Sequence, residues 1–174
     1  LRSSKTVTIL FCTFSKIQNS GINSSLTIYK ISKTIIVGSS FSKNVAKRGA
    51  GISGIQNGYT LIYNCTLKKN TAVYLGGSIY IEKNNYTIIS KTDFLANKAT
   101  EGGSIYLINI NIFNIFSCLF LKNIGVHKGG GLQIKNLKRS IPSTIAILNS
   151  ILKANIASEE GTAVNVNLIQ AVLI

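Results

Sequence analysis

Few residues in this chain can carry proton-transfer or metal chemistry. The acids are Glu82, Asp93, Glu101, Glu159 and Glu160, and the single histidine is His127. Hydrolysis of a polysaccharide needs two opposed carboxyl groups acting as acid and as base or nucleophile. Calcium-assisted cleavage needs clustered carboxylate oxygens. Only Glu159 and Glu160 adjoin, and chain neighbours in a corner form a poor catalytic pair. His127 has no nearby cysteine or second histidine to complete a zinc site. It is read, like Asp93, as a solvated surface residue. A nucleophile motif and a phosphate loop are missing. The expectation is a chain that is not an enzyme and takes neither metal nor cofactor.

The basic residues are far more ordered. Nineteen Lys and Arg against five acids give a formal net charge of +14, a bias that points to an anionic partner or surface. Lys16, Lys43, Lys69 and Lys122 recur at intervals of 27, 26 and 53 residues, and Lys68 and Lys153 lie one position earlier in their own copies. A second basic group, Lys135, Lys138 and Arg139, falls in the segment KNLKRSIPST at 135–144, beside the only proline, Pro142. Both groups are candidates for binding an anionic polysaccharide, a cell surface or another protein. No motif that reads DNA or RNA accompanies them. Asn-x-Ser/Thr sequons at Asn23, Asn64 and Asn85 are candidate glycosylation sites.

What positions these residues is an internal repeat. Gly49–Asn70, Gly76–Asn97 and Gly102–Asn123 are each 22 residues long and align without a gap. Counting from the first small residue as position 1, the lysine column is position 21. Position 22 is Asn44, Asn70, Asn97, Asn123 and Asn155, at intervals of 26, 27, 26 and 32. A fixed period of this size marks a solenoid. Position 4 reads Leu26, Ile52, Ile79, Ile105, Leu132 and Val164. Position 14 reads Ile9, Ile36, Ile62, Ile89, Ile115 and Ile147, and position 19 reads Phe14, Phe41, Leu67, Phe94, Phe120 and Leu152. Positions 4 and 6, 12 and 14, and 17 and 19 are read as inward pairs alternating at strand period. This gives three short strands per coil and about six coils, approximately 1–17, 23–44, 49–70, 76–97, 102–123, 129–155 and 161–174. The asparagines are expected to stack in the turn after the third strand and satisfy its backbone. Glycines at positions 1–3 suit a corner with positive φ or close backbone approach. Cys12, Cys65 and Cys118 share position 17 in alternate copies, 53 residues apart. At a rung spacing of ~4.8 Å they would stand roughly 10 Å apart, beyond the reach of a disulfide, and are read as small buried residues. Tyr80 and Tyr106 share an outward position 5 and could stack on sugars or on each other.

GGSI at 76–79 and 102–105, GGGL at 129–132 and GAGI at 49–52, together with FSKN at 41–44, FLAN at 94–97 and FLKN at 120–123, resemble the paired GG[AS]I and FxxN motifs of the polymorphic outer-membrane protein repeats. The resemblance implies an all-β, pectin-lyase-like right-handed parallel β-helix in a surface-exposed or secreted protein, often adhesive. The expected function is a non-enzymatic adhesive or scaffold module, with a purely structural spacer and a polysaccharide lyase or hydrolase as the alternatives. No uncharged apolar run is long enough to span a bilayer. The start at Leu1, inside a copy, leads us to expect a segment of a longer solenoid, contiguous with further coils.

Overall fold

The chain is rich in β-branched residues that pack well on a pleated surface. In the computed structural model, which describes residues 5–19, 24–136, 143–168 and 171–173, all regular structure is strand. The strands stack in parallel as a right-handed β-helix. Its first wall holds Leu26–Tyr29, Ile52–Ile55, Ile79–Glu82, Ile105–Ile108, Leu132–Asn136 and Val164–Leu168. The second holds Thr6–Leu10, Lys33–Val37, Tyr59–Tyr63, Tyr86–Ser90, Ile112–Phe116, Ser143–Leu148 and Ala171–Leu173. The third holds Thr13–Ser15, Ser40–Ser42, Thr66–Lys68, Asp93–Leu95, Leu119–Leu121 and Ile151–Lys153.

The pairing register is the repeat. Ile36 lies opposite Ile62, Ile62 opposite Ile89, Ile89 opposite Ile115 and Ile115 opposite Ile147. Phe41, Leu67, Phe94 and Phe120 follow one another in the third wall. These columns are buried, apart from the half-buried Ile147. They form one continuous core that no single coil could enclose. Phenylalanines meet as stacked rings, Phe14 on Phe41 at 4.7 Å and Phe94 on Phe120 at 4.6 Å.

Two expectations about the coil need correction. There are four walls, not three. Val45–Arg48, Thr71–Leu75, Lys98–Glu101, Ile124–Lys128 and Ile156–Ala157 pair in parallel as a fourth. Its inward column is small, with Ala46, Ala72 and Ala99 buried and Gly125 in register with Ala99. A search for bulky alternating residues passes over it. The variation between 26 and 27 residues is absorbed here, because Thr71–Leu75 and Ile124–Lys128 have five residues where Val45–Arg48 and Lys98–Glu101 have four. The ladder accommodates the extra residue by a register shift of the β-bulge kind. Position 12 is also not an apolar column. Thr34, Thr60 and Thr87 point inward and are buried there, with Phe113 continuing the column.

Candidate functional site

The four corners between walls share one device, a residue in the left-handed region. Between the fourth and first walls it is glycine, at Gly49, Gly76, Gly102, Gly129 and Gly161. A Cβ on Gly76 would stand 2.0 Å from the Ile79 carbonyl oxygen, so the expected glycine corner is steric as well as conformational. Between the third and fourth walls the left-handed residue is the lysine column. Lys16, Lys43, Lys69 and Lys122 have φ of 57, 55, 54 and 56°, with Ala96 at 51° and Ala154 at 53° in the same position. Alanine and lysine both pay for that conformation, which Asn and Gly adopt more readily.

Each lysine corner is held by the asparagine one coil further on. Asn70 Oδ1 accepts the Asn44 backbone N–H at 3.1 Å, and its Nδ2 donates to the Phe41 carbonyl at 2.9 Å. One carboxamide thus satisfies both backbone groups that flank Lys43. Asn97, Asn123 and Asn155 repeat this on the corners of Lys69, Ala96 and Lys122. The asparagines also join one another, Asn70 to Asn97 at 3.2 Å and Asn97 to Asn123 at 3.0 Å. The expected ladder is present, and it is what fixes the lysine backbone.

The side chains that project from this edge are exposed. Lys16, Lys43, Lys69 and Lys122 stand on the corner itself, with Lys68 and Lys153 one residue before it in the third wall and Lys98 just after it in the fourth. Among the described residues the ion pairs are Lys83–Glu82, His127–Glu159 and Lys128–Glu160, so none of these seven lysines is neutralised by a carboxylate. Lys135 is not part of the edge. It closes the first wall in register with Ile108 and Asn167, at the diagonally opposite corner. Lys138, Arg139 and Pro142 lie outside the described residues, as does Asn23. Asn64 and Asn85 are both exposed, on corners at either side of the second wall.

The remaining candidates change character in three dimensions. Tyr80 and Tyr106 point outward from the first wall yet are only 3% exposed, because the fourth wall folds over them. Their rings stack at 6.0 Å, with Arg48 over Tyr80. No ring face is left for a sugar, and of the two expected arrangements the tyrosines stack on each other. Burial, with the carboxylate of Glu82 next, raises the Tyr80 phenol; burial, and then Glu101, pushes Tyr106 up to about 12. Glu82 accepts from the Tyr80 hydroxyl at 2.8 Å and pairs with Lys83 at 2.9 Å. Those hydrogen bonds, that to Lys83 foremost, lower its carboxyl. His127 lies in the fourth wall and meets Glu159 at 2.7 Å, a partner invisible in sequence because it belongs to the next coil. No group of three or more His, Cys, Asp or Glu able to hold a metal occurs among the described residues.

All three cysteines are free, but Cys12 is exposed where burial was expected, because its coil forms one end of the described stack. Cys65 and Cys118 are 3% exposed. Burial raises the Cys65 thiol and pushes that of Cys118 up to about 11. Near neutral pH a thiol reagent should therefore label one cysteine within minutes and the other two only with unfolding. Rapid labelling of two or more in the native protein would contradict this packing.

One structural column escapes a reading that looks for motifs, and another shows its hydrogen bonds only in three dimensions. Asn57 accepts the Ile31 N–H at 3.0 Å and donates to the Ile28 carbonyl at 3.3 Å, and Asn84 accepts the Asn57 N–H at 3.0 Å. This second ladder holds the corner after the first wall, whose left-handed residues are Lys30, Gln56, Lys83 and Asn109. Its signal was the 27-residue interval between Asn57 and Asn84 at position 9. At position 17 the hydroxyls of Ser39, Thr92 and Ser150 accept the N–H groups of Cys12, Cys65 and Cys118. Each hydroxyl thus satisfies the backbone N–H of the cysteine one coil before it.

No family model matches the chain, and no solved structure matches it. It is similar to metabotropic glutamate receptor-like protein R of Dictyostelium discoideum, 28% identical over 159 residues. That alignment takes in 91% of this chain but only 9% of the relative's length. No helix among the described residues is long and apolar enough to cross a membrane.

Proposed function

We propose that this chain is a non-enzymatic β-helix module of an extracellular or cell-surface protein, adhesive or scaffolding. In this reading it binds an anionic glycan or surface through Lys16, Lys43, Lys68, Lys69, Lys122 and Lys153. The assignment to a polymorphic outer-membrane-type repeat, with its surface location, belongs to the same proposal and is supported by the paired motifs. The observation that carries it is the corner itself. A left-handed corner favours Asn or Gly and does not call for a cation. Yet lysine recurs there on four coils, exposed and unpaired by any carboxylate among the described residues. At ~4.8 Å between rungs such charges repel one another, and an extended polyanion would relieve that repulsion and release its own counterions.

Alanine already occupies this position at Ala96 and Ala154 with the same backbone conformation. A Lys43→Ala/Lys69→Ala/Lys122→Ala variant should therefore keep the fold. We expect wild type to bind an immobilised acidic polysaccharide in a saturable, salt-sensitive way, and the variant to bind at least about tenfold more weakly. Equal binding by both, or none at low salt, would leave the structural spacer as the better reading. Release of soluble fragments would instead support an enzyme. The spacer has one observation in its favour: the asparagine ladder accounts for the corner geometry without any ligand.

A further inference from the structure

The outward face of the second wall differs from the lysine edge and does not depend on it. The side chains alternating with the buried column form three outward columns. One runs Thr6, Lys33, Tyr59, Tyr86, Ile112, Thr144; the next Thr8, Ile35, Leu61, Ile88, Asn114, Ala146; the third Leu10, Val37, Tyr63, Ser90, Phe116, Leu148. Twelve of these eighteen are apolar or aromatic, and none is acidic. Every one of them stays at least partly in contact with solvent, with Leu10 50% and Leu148 51% exposed. An open depression of about 330 Å³ lies on this face between Lys33, Ile35, Tyr59 and Leu61. Lysines border this wall. The Lys5 carbonyl accepts the Lys33 N–H at 3.0 Å, Lys30 stands on one flanking corner, and Lys91 on the other, with its Nζ 5.5 Å from the Tyr63 ring centroid. Tyr59 and Tyr86 stack on each other at 5.7 Å, which hides much of the ring faces a sugar would need.

We infer that this face docks on an anionic lipid bilayer. Charge complementarity is the first reason, because an apolar, acid-free strip rimmed by lysine on a chain of net charge +14 suits a negatively charged interface. Tyrosine and lysine are also the side chains that bridge apolar and aqueous layers there. Size is the second. Six strands of about five residues present roughly 29 by 16 Å, about 460 Å², short of the ~800 Å² each partner contributes to a standard protein interface. A second copy would bring the same positive charge to the same face.

The test uses the variant Tyr59→Thr/Leu61→Asn. Threonine and asparagine already occur in those columns, at Thr6, Thr144 and Asn114, so the fold should be kept. Co-sedimentation would be measured with phosphatidylcholine vesicles and with vesicles also containing phosphatidylserine. Wild type should bind the anionic vesicles and not the neutral ones. The double variant should partition at least about tenfold more weakly, whereas the Lys43/Lys69/Lys122→Ala variant should keep most of its vesicle binding. Undiminished binding by the double variant would mean adsorption through net charge alone and would overturn the inference. So would absence of binding to anionic vesicles, or a concentration-dependent dimer abolished by the same two substitutions. Failure of wild type to bind the polysaccharide, with vesicle binding intact, would count against the lysine edge only.

Discussion

Replacing Asn97 by alanine should cost about 3–4 kcal/mol of stability, although no large apolar side chain is removed. Asn97 is wholly buried, and its carboxamide spans the Lys69 corner, accepting from the Asn70 N–H and donating to the Leu67 carbonyl, each at 2.9 Å. Alanine strands both backbone groups in the interior, at about 1–3 kcal/mol each. For a chain of this length that corresponds to a fall in Tm of roughly 10 °C. Asn85→Ala is the control, since Asn85 is exposed and a surface change of this kind usually stays within about 0.5 kcal/mol. Denaturant unfolding of both, with hydrogen exchange read at the Asn70 amide, checks the expectation. Similar small losses for the two variants would show that the ladder contributes little, and the account of how the lysine corner is held would fail with it.

Phe94→Ala should be at least as damaging, about 3–5 kcal/mol. The ring is fully buried, stacked on Phe120 on one side and in register with Leu67 on the other, so truncation opens a void that walls fixed by their own ladders cannot close. Phe94→Leu should lose less than half as much, because leucine already fills this column at Leu67 and Leu152. Phe14→Ala should also be milder. Phe14 makes a similar stack with Phe41 but is only half-buried at the end of the described stack, so water already reaches one side of it. Thermal unfolding of the three variants supplies the ordering. Equal losses at Phe14 and Phe94 would refute the view that the core is continuous from coil to coil.

These two sites mark different depths of legibility. The phenylalanine column and the asparagine column were both visible in the amino-acid order, because each recurs at the coil period and stacking forces like onto like. Which backbone groups Asn97 satisfies was not visible. The partners lie on the preceding coil, at Leu67 and Asn70, and a repeat shows that equivalent residues stack without showing which atoms meet. The fourth wall was missed for a related reason. Its inward column is Ala46, Ala72, Ala99 and Gly125, and small residues carry almost no hydrophobic alternation.

The candidate site divides along the same line. The interval between Lys16, Lys43 and Lys69 is enough to place them on one edge, since a solenoid turns every period into a column. Their left-handed backbone, their freedom from carboxylates among the described residues and the separation of Lys135 to the diagonal corner depend on where the chain bends and on what the neighbouring coils bring. The fate of Tyr80 and Tyr106 turns on that too. Alternation places both outward, but outward is not exposed where the fourth wall meets the first at a glycine corner and covers them. By itself, then, the sequence determined the stacking, the core columns and the lysine edge, because these follow from periodicity alone. The number of walls, the burial of the tyrosines, the pairing of His127 with Glu159 and the apolar face of the second wall were decided only by the tertiary structure, because each depends on angles between walls and on contacts between coils that no period encodes.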